Sequence, residues 1–199
     1  MKIILFNKPY KVLCQFTDKL NPSKYDDKNT VGRMNLSDFI HHKGFYPAGR
    51  LDYHSEGLIL LTDNGALQNR VTSPSNKMEK SYFVQAEGIA NKGEISLLKN
   101  GVTLKDGITL PTKITNLTVK PNIWERQEKV AEFRAEKSQW YKVTLREGKN
   151  RQIRRMFAKI NHPVLRLVRY RIGPWELKNL LPGEYEILNI NLPKSFNKK

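Results

Sequence analysis

Three segments carry side chains whose types and spacing could support chemistry on a substrate. The first is the polar loop 49–57, which precedes the most apolar run of the chain and holds Arg50, Asp52 and Glu56. A loop anchored on a buried strand can present a carboxylate rigidly in a cleft, where it acts as a nucleophile or a general base. The local sequence leaves a second interpretation open, in which Asp52 only shapes a turn.

The second segment, 80–84, predicts the start of a strand that includes Lys80 and Tyr82. On a strand, Tyr82 and Val84 share one face and Phe83 lies on the other. Taken alone, this pattern identifies Tyr82 as a core residue.

The third segment, 147–157, is basic and leads into a predicted helix over 151–160. At roughly 100° per residue, one helix face is apolar and comprises Ile153, Met156, Phe157 and Ile160. The opposite face carries Arg151, Arg155 and Lys159. Arg154 falls at the boundary between the two faces, from which it can reach a partly buried partner.

The net charge of +16 is concentrated around this third segment. Residues 137–171 hold eleven lysines and arginines and a single acid, Glu147. Apolar and aromatic residues alternate with these charges, so we expect the stretch to be folded rather than a flexible basic arm. A field of this sign favours a polyanionic partner, either a nucleic acid or an anionic membrane surface.

The composition excludes several classes of protein. The single cysteine, Cys14, rules out an intrachain disulfide and a zinc site built on several thiolates. Phosphate-loop and dinucleotide motifs are absent, so we expect neither a metal nor a cofactor. No apolar run approaches the roughly 20 residues of a membrane span, and the opening residues do not form a signal-peptide core. We therefore expect a cytoplasmic protein with no membrane partner.

The rest of the pattern predicts the elements that must position these segments. Strands are expected at 3–6, 12–16, 57–61, 80–87, 108–119, 132–133, 140–145, 164–170 and 185–188. Helices are expected at 35–40, 66–71, 92–98 and 151–160, and a loop at 21–28. Many strands with few, scattered helices indicate an α+β sheet domain.

In their order along the chain, these segments resemble the motifs of the pseudouridine synthases, in the branch that modifies ribosomal RNA. The similar stretches are 5–9 (opening strand), 49–58 with 61–62 (catalytic-aspartate motif), 80–82 (lysine-x-tyrosine motif) and 148–156 with 169–173 (third motif). The resemblance covers about residues 3–188, and the ordered combination of motifs is highly specific.

The resemblance implies roles for three residues. Asp52 would be the catalytic carboxylate, which attacks covalently or acts on the ribose as a base. Arg154 would pair with Asp52 and keep it ionised and oriented. Tyr82 would pack its ring against the uracil and relay a proton late in the reaction.

The basic residues around these motifs are expected to bind RNA, because phosphate contacts can offset the cost of taking the target base out of its stack. These residues are Arg50, Lys80, Lys149, Arg151, Arg155, Lys159 and Arg169.

The family also implies a fold and a target. We expect one catalytic domain, 1–190, with a mixed, largely antiparallel sheet, flanking helices and a central cleft, followed by a basic tail, 191–199. The motif-bearing strand starts at Ile3, which leaves no room for the small RNA-binding domain that several members carry first. This arrangement implies a monomeric enzyme that isomerises a single uridine of 23S ribosomal RNA to pseudouridine.

Two alternatives are kept. A non-catalytic ribosome-binding protein would explain the charge, but it gives no reason for Asp52, Tyr82 and Arg154 to occur together in family register. A synthase for another RNA, either transfer RNA or a different ribosomal site, is the closer rival.

Overall fold

A nine-stranded sheet is the main feature of a computed structural model of the chain, which describes residues 1–18, 32–76 and 78–191. The predicted loop 21–28 and nearly all of the predicted tail lie outside these residues. The strands are β1 (Lys2–Lys8), β2 (Tyr46–Pro47), β3 (Glu56–Thr62), β4 (Lys80–Glu87), β5 (Thr103–Leu104), β6 (Gly107–Ile108), β7 (Lys113–Leu117), β8 (Ser138–Leu145), β9 (Val164–Ile172), β10 (Trp175–Glu176) and β11 (Tyr185–Asn189). The α-helices are α1 (Gly65–Thr72), α2 (Lys92–Asn100), α3 (Glu132–Ala135) and α4 (Gln152–Lys159).

The sheet has the strand order β11-β1-β3-β9-β4-β8-β7, with β2 added on β3 and β10 on β9. Every pair is antiparallel except β3 with β9, which are parallel at the centre of the sheet. β5 and β6 form a separate hairpin. The predicted α+β fold class, with a mixed and largely antiparallel sheet, is confirmed.

Apolar side chains cover both faces of the sheet. All seven residues of β3 are buried. Ile59 and Leu61 join the core on one face, whereas Leu58 and Leu60 join the core on the other. A central strand covered on both sides needs a continuous apolar run rather than an alternating one, which accounts for the sequence of this segment.

Short polar residues begin the helices that flank the sheet. The side chain of Asn64 accepts from the backbone N–H of Leu67 at the start of α1, and Asn91 forms a capping box with Glu94 at the start of α2. Such caps satisfy N–H groups that have no partner inside the helix. α4 buries Ile153, Met156 and Phe157, as the predicted apolar face requires.

Four predicted elements are wrong in type or extent. Residues 12–16 form no strand, because the carbonyl of Val12 accepts from the Lys8 amine and only Leu13 makes a bridge, to Asn35. Residues 132–133 lie in α3, where the exposed ring of Phe133 has no strand beside it. The predicted strand 108–119 is divided between β6 and β7, and the predicted helix 35–40 is a single 3-10 turn, Leu36–Asp38.

Candidate active site

A cavity of about 490 Å³ opens beside the parallel pair β3 and β9. The loop before β3, the first residues of β4 and the segment before α4 all contribute to its wall. Seven of the ten predicted site residues line this cavity: Arg50, Asp52, Lys80, Tyr82, Lys149, Arg151 and Arg169. The fold therefore brings together segments that are about 100 positions apart in sequence.

Asp52 lies in a tight turn, in which the N–H of Ser55 donates to its carbonyl at 3.0 Å. Leu51, just before it, is buried in the core. Gly57 ends the loop with φ +104, and a Cβ atom there would stand 2.2 Å from the carbonyl oxygen of Arg169. This close approach of β3 to β9 requires glycine and fixes the end of the loop on the sheet.

Arg169 binds the backbone of the loop that contains Asp52. Its Nε donates to the carbonyl of Leu58 at 2.8 Å and its Nη1 to the carbonyl of Arg50 at 3.5 Å, so one guanidinium holds both ends of the loop that contains Asp52. The residue is only 3% exposed. Its expected phosphate contact does not fit this burial, and the observed bonds make it a clamp for the loop instead.

The acidic group of Asp52 is paired with Arg151. Nη1 of Arg151 lies 3.5 Å from Oδ2 of Asp52, and the two side chains are 47% and 28% exposed. Arg151 adopts a left-handed backbone conformation, with φ 46 and ψ 35, directly before α4. A residue other than glycine is rare in this conformation and costs energy. Arg151 is therefore not part of the helix, and it does not lie on the helix face that the sequence predicts for it.

The structure corrects the predicted pairing of Arg154 with Asp52. Arg154 donates to the carbonyls of Val164 and His54 at 3.1 and 2.7 Å, and to the Ser55 hydroxyl at 3.5 Å. Its position at the edge of the apolar face is as expected, but the partly buried groups that it reaches are backbone carbonyls. Arg154 thus supports the loop that holds Asp52 without an ion pair to the carboxylate.

Tyr82 stands in β4 between β8 and β9, opposite Val143 and Arg169. The register with β9 shifts between Ser81 and Tyr82, which lie opposite Arg171 and Arg169. The side chain is 8% exposed and belongs to the core, yet it also lines the cavity. Tyr82 is therefore a core residue whose side chain also reaches the cavity, and its contact with the uracil stays a prediction.

Two lysines near the cavity have weakened affinity for a proton. Burial lowers the pKa of Lys80 to about 8, and the positive charge of Arg169 lowers it further. Burial also lowers the pKa of Lys8 to about 8, although its amine donates to the carbonyls of Pro9 and Val12 at 2.7 and 2.9 Å. The sequence analysis did not name Lys8 as a site residue. Its burial depends on contacts with the turn that follows it, and no local sequence pattern reports such contacts.

Arg155 and Lys159 do not line the cavity. Arg155 forms a bidentate pair with Asp106, at 2.7 and 2.9 Å, and so fastens the β5–β6 hairpin to α4. The sequence analysis expects Arg155 to bind RNA phosphates, whereas its guanidinium is already paired with Asp106 in the structure. Lys159 is exposed on the far side of α4, and its contact with RNA stays a prediction.

Other chemistry is not evident in the described ranges. Among residues 1–18, 32–76 and 78–191, no three or more histidine, cysteine, aspartate or glutamate side chains are grouped where they could hold a metal ion. None of the helices in these ranges has the length and apolar character of a membrane span.

Comparison with known proteins decides the family. Residues 2–159 match the family model described as RNA pseudouridylate synthase. The chain belongs to the RNA pseudouridylate synthase family. It is therefore an RNA pseudouridine synthase, and the predicted family and enzyme class are confirmed.

Named relatives of this synthase cover most of its length. A Vibrio vulnificus protein named ribosomal large subunit pseudouridine synthase E is 46% identical over 192 residues, which are 96% of this chain and 76% of the relative. A Xanthomonas campestris protein of the same name is 42% identical over 185 residues, which are 93% of this chain and 94% of the relative. A solved pseudouridylate synthase superposes with a TM-score of 0.72 at 25% identity, over 94% of this chain and 70% of its own.

Proposed function

We propose that this synthase isomerises a uridine of 23S ribosomal RNA, with Asp52 as the catalytic carboxylate. The observation that carries the proposal is the partly exposed carboxylate of Asp52, held by Arg151 in a cavity that also contains Tyr82. The ribosomal substrate is supported by relatives named ribosomal large subunit pseudouridine synthase E.

The reaction exchanges one bond for another without oxidation or net hydrolysis. The C1′–N1 bond of uridine breaks, the detached uracil turns, and C1′ bonds to C5. C5 loses its proton and N1 gains one, so the atoms balance within the nucleotide. The protein must supply a group that acts on the ribose and a site that retains the uracil while it turns.

Asp52 can act on the ribose by either of two routes. Its carboxylate can attack covalently, or it can remove a proton from the ribose as a base. In both, Arg151 orients the carboxylate, and the turn closed by Ser55 limits its motion. Pre-positioning of this kind lowers the barrier because the geometry is already set before the substrate arrives.

In this proposal, Tyr82 holds the uracil. Its ring is fixed by β8 and β9 and faces the same cavity as Asp52. An aromatic ring offers a flat apolar surface to a base, and the hydroxyl can pass a proton.

The uridine must leave its stack to reach this cavity, at a cost of a few kcal/mol. Arg50, Lys149 and Lys80 line the cavity and supply positive charge where the RNA backbone must lie. Phosphate contacts of this kind supply affinity that does not depend on sequence, and they can offset the cost of unstacking.

The experiment is to map pseudouridine in all RNAs from cells with the gene, without it, and with the gene restored. We expect one 23S position to lose its pseudouridine without the gene and to regain it on restoration. Loss confined to transfer RNA or to a different ribosomal molecule would favour the alternative substrate. An unchanged map in every RNA would contradict the proposal.

A further inference from the structure

A second cavity, of about 290 Å³, lies next to the first and is not explained by the chemistry of Asp52. We call it the arginine pocket, because four guanidinium groups contribute to its wall. These belong to Arg126, Arg134, Arg151 and Arg154. None of the described residues that line it is an aspartate or a glutamate.

The positive charges of the arginine pocket are only partly matched by acids. Arg134 is paired with Glu87 at 2.5 Å, and Arg151 with Asp52 at 3.5 Å. Arg126 is 3.8 Å from the Glu56 carboxylate, which Arg166 already binds twice. Arg154 donates only to two carbonyls and a hydroxyl, and its Nε is buried without a partner. A surplus of fixed positive charge in a concave site attracts an anion.

Two aromatic rings, tilted against each other by 48°, also contribute to the wall of the pocket. Tyr10 and His54 stand with ring centroids 5.5 Å apart, and the Arg126 guanidinium lies 4.1 Å from the centroid of the Tyr10 ring. Burial lowers the pKa of His54, and the charges of Arg154 and Arg151 lower it further. Charge and flat rings together suit a nucleotide, whose phosphate is anionic and whose base stacks on aromatic groups.

The wall of the pocket is built on the buried core of the sheet. Glu56 is 1% exposed and accepts from Nε1 of Trp124 at 3.0 Å as well as from Arg166. Arg166 also donates to the carbonyl of Trp124 at 2.9 Å. These bonds fix the segment that carries Arg126, so the pocket keeps its shape before any ligand binds.

The arginine pocket adjoins the catalytic cavity at one residue, Arg151, which lines both. His54, in the wall of the pocket, follows Asp52 by two positions. The pocket is therefore within reach of a nucleotide next to a uridine that enters the first cavity.

We infer that the arginine pocket binds a nucleotide that flanks the target uridine, with its phosphate at the guanidinium groups and its base at Tyr10, and so positions the strand whose uridine enters the catalytic cavity. This inference rests on the proposed function and names a second recognition point for its substrate.

The test is phosphate ethylation interference on a transcript of 23S ribosomal RNA. Ethylation removes the charge of one phosphate at a time, and sites where it prevents binding mark phosphates that the protein contacts. The variants are Arg134→Gln and Tyr10→Ala. The matched control is Arg33→Gln, because Arg33 is also paired with a carboxylate, that of Asp18, has 42% side-chain exposure against 40% for Arg134, and lines neither cavity.

We expect Arg134→Gln to lose one interference signal beside the target uridine and to bind about tenfold more weakly. The slope of log affinity against log salt should fall by about one. Tyr10→Ala should weaken binding about tenfold with the slope unchanged, because stacking releases no counterions. Arg33→Gln should behave like the wild type.

The inference is overturned if Arg134→Gln and Tyr10→Ala keep the wild-type affinity and interference pattern. If the wild type itself shows no interference signal, the 23S substrate is wrong, and the inference falls with it. Pseudouridine mapping in cells separates these results, because it reports the substrate without reference to the pocket.

Discussion

Nη1 of Arg151 lies 3.5 Å from Oδ2 of Asp52, while the neighbouring Arg154 bonds the carbonyls of His54 and Val164. Three positions along the chain thus separate a residue that contacts the Asp52 carboxylate from one that holds the loop around it. The left-handed conformation of Arg151 makes this possible, because it turns the residue away from the path of α4.

Arg151→Ala should slow pseudouridine formation about 100-fold at saturating RNA, since a pre-positioned charged donor beside the reacting group is lost. Single-turnover measurements separate this effect from binding. Arg154→Ala should instead lower stability by about 1–2 kcal/mol, because the part-buried carbonyl of Val164 and the carbonyl of His54 lose a donor, with a smaller effect on the chemical step. An exchange of these two phenotypes would restore Arg154 as the partner of Asp52.

Arg169→Lys should lower the single-turnover rate at least about tenfold while RNA affinity stays near that of the wild type. Lysine keeps the charge but cannot donate to the carbonyls of Leu58 and Arg50 from one planar group. Rate and affinity are measured on the same RNA. If the lysine variant were fully active, the role of Arg169 would be electrostatic and the clamp would be wrong.

Gly57→Ala should destabilise the protein by about 3 kcal/mol or more, because the residue has φ +104 and its Cβ would stand 2.2 Å from a carbonyl oxygen of β9. Urea denaturation measures the change. Gly65→Ala is the matched control, since Gly65 is the first residue of α1 and has no atom within 4 Å of the added Cβ. It should be neutral or slightly stabilising. Equal stability of the two variants would show that β3 and β9 are not in this close contact.

RNA binding should weaken as the pH rises through about 8, because Lys80 then loses its proton and with it a positive charge in the cavity. The slope of log affinity against log salt should fall by about one between pH 7 and pH 9. Lys80→Arg keeps its charge over this range and should show no such fall. A wild-type slope that does not change with pH would mean that Lys80 makes no contact with RNA.

The fold was largely predictable because its strongest signals are local. The apolar run of β3 and the pattern of β4 predict strands near their observed bounds, and the apolar face of α4 is correct. The strand predicted at 12–16 fails because the Lys8 amine takes the carbonyl of Val12, a contact that no periodicity reports.

The cavity was predictable in its membership but not in its pairings. The family motifs predict that Asp52, Tyr82 and Arg151 belong to one site, and all three line the same cavity. The resemblance pairs Asp52 with Arg154, and the helical phase places Arg151 on the opposite face. In the structure Arg151 lies before α4 with φ 46, and its guanidinium contacts Asp52 instead. The arginine pocket was missed because Tyr10, Arg126 and Arg134 come from separate segments with no common motif.

Asp52→Asn tests the central claim most directly, because the amide keeps the size and much of the hydrogen bonding of the carboxylate and removes its charge and nucleophilicity. The measurement is single-turnover pseudouridine formation on a 23S ribosomal RNA transcript, with RNA affinity measured in parallel. We predict no detectable product and an affinity within a few-fold of the wild type, since affinity comes mainly from phosphate contacts. Product formed at a substantial fraction of the wild-type rate would contradict the assignment of Asp52 as the catalytic carboxylate.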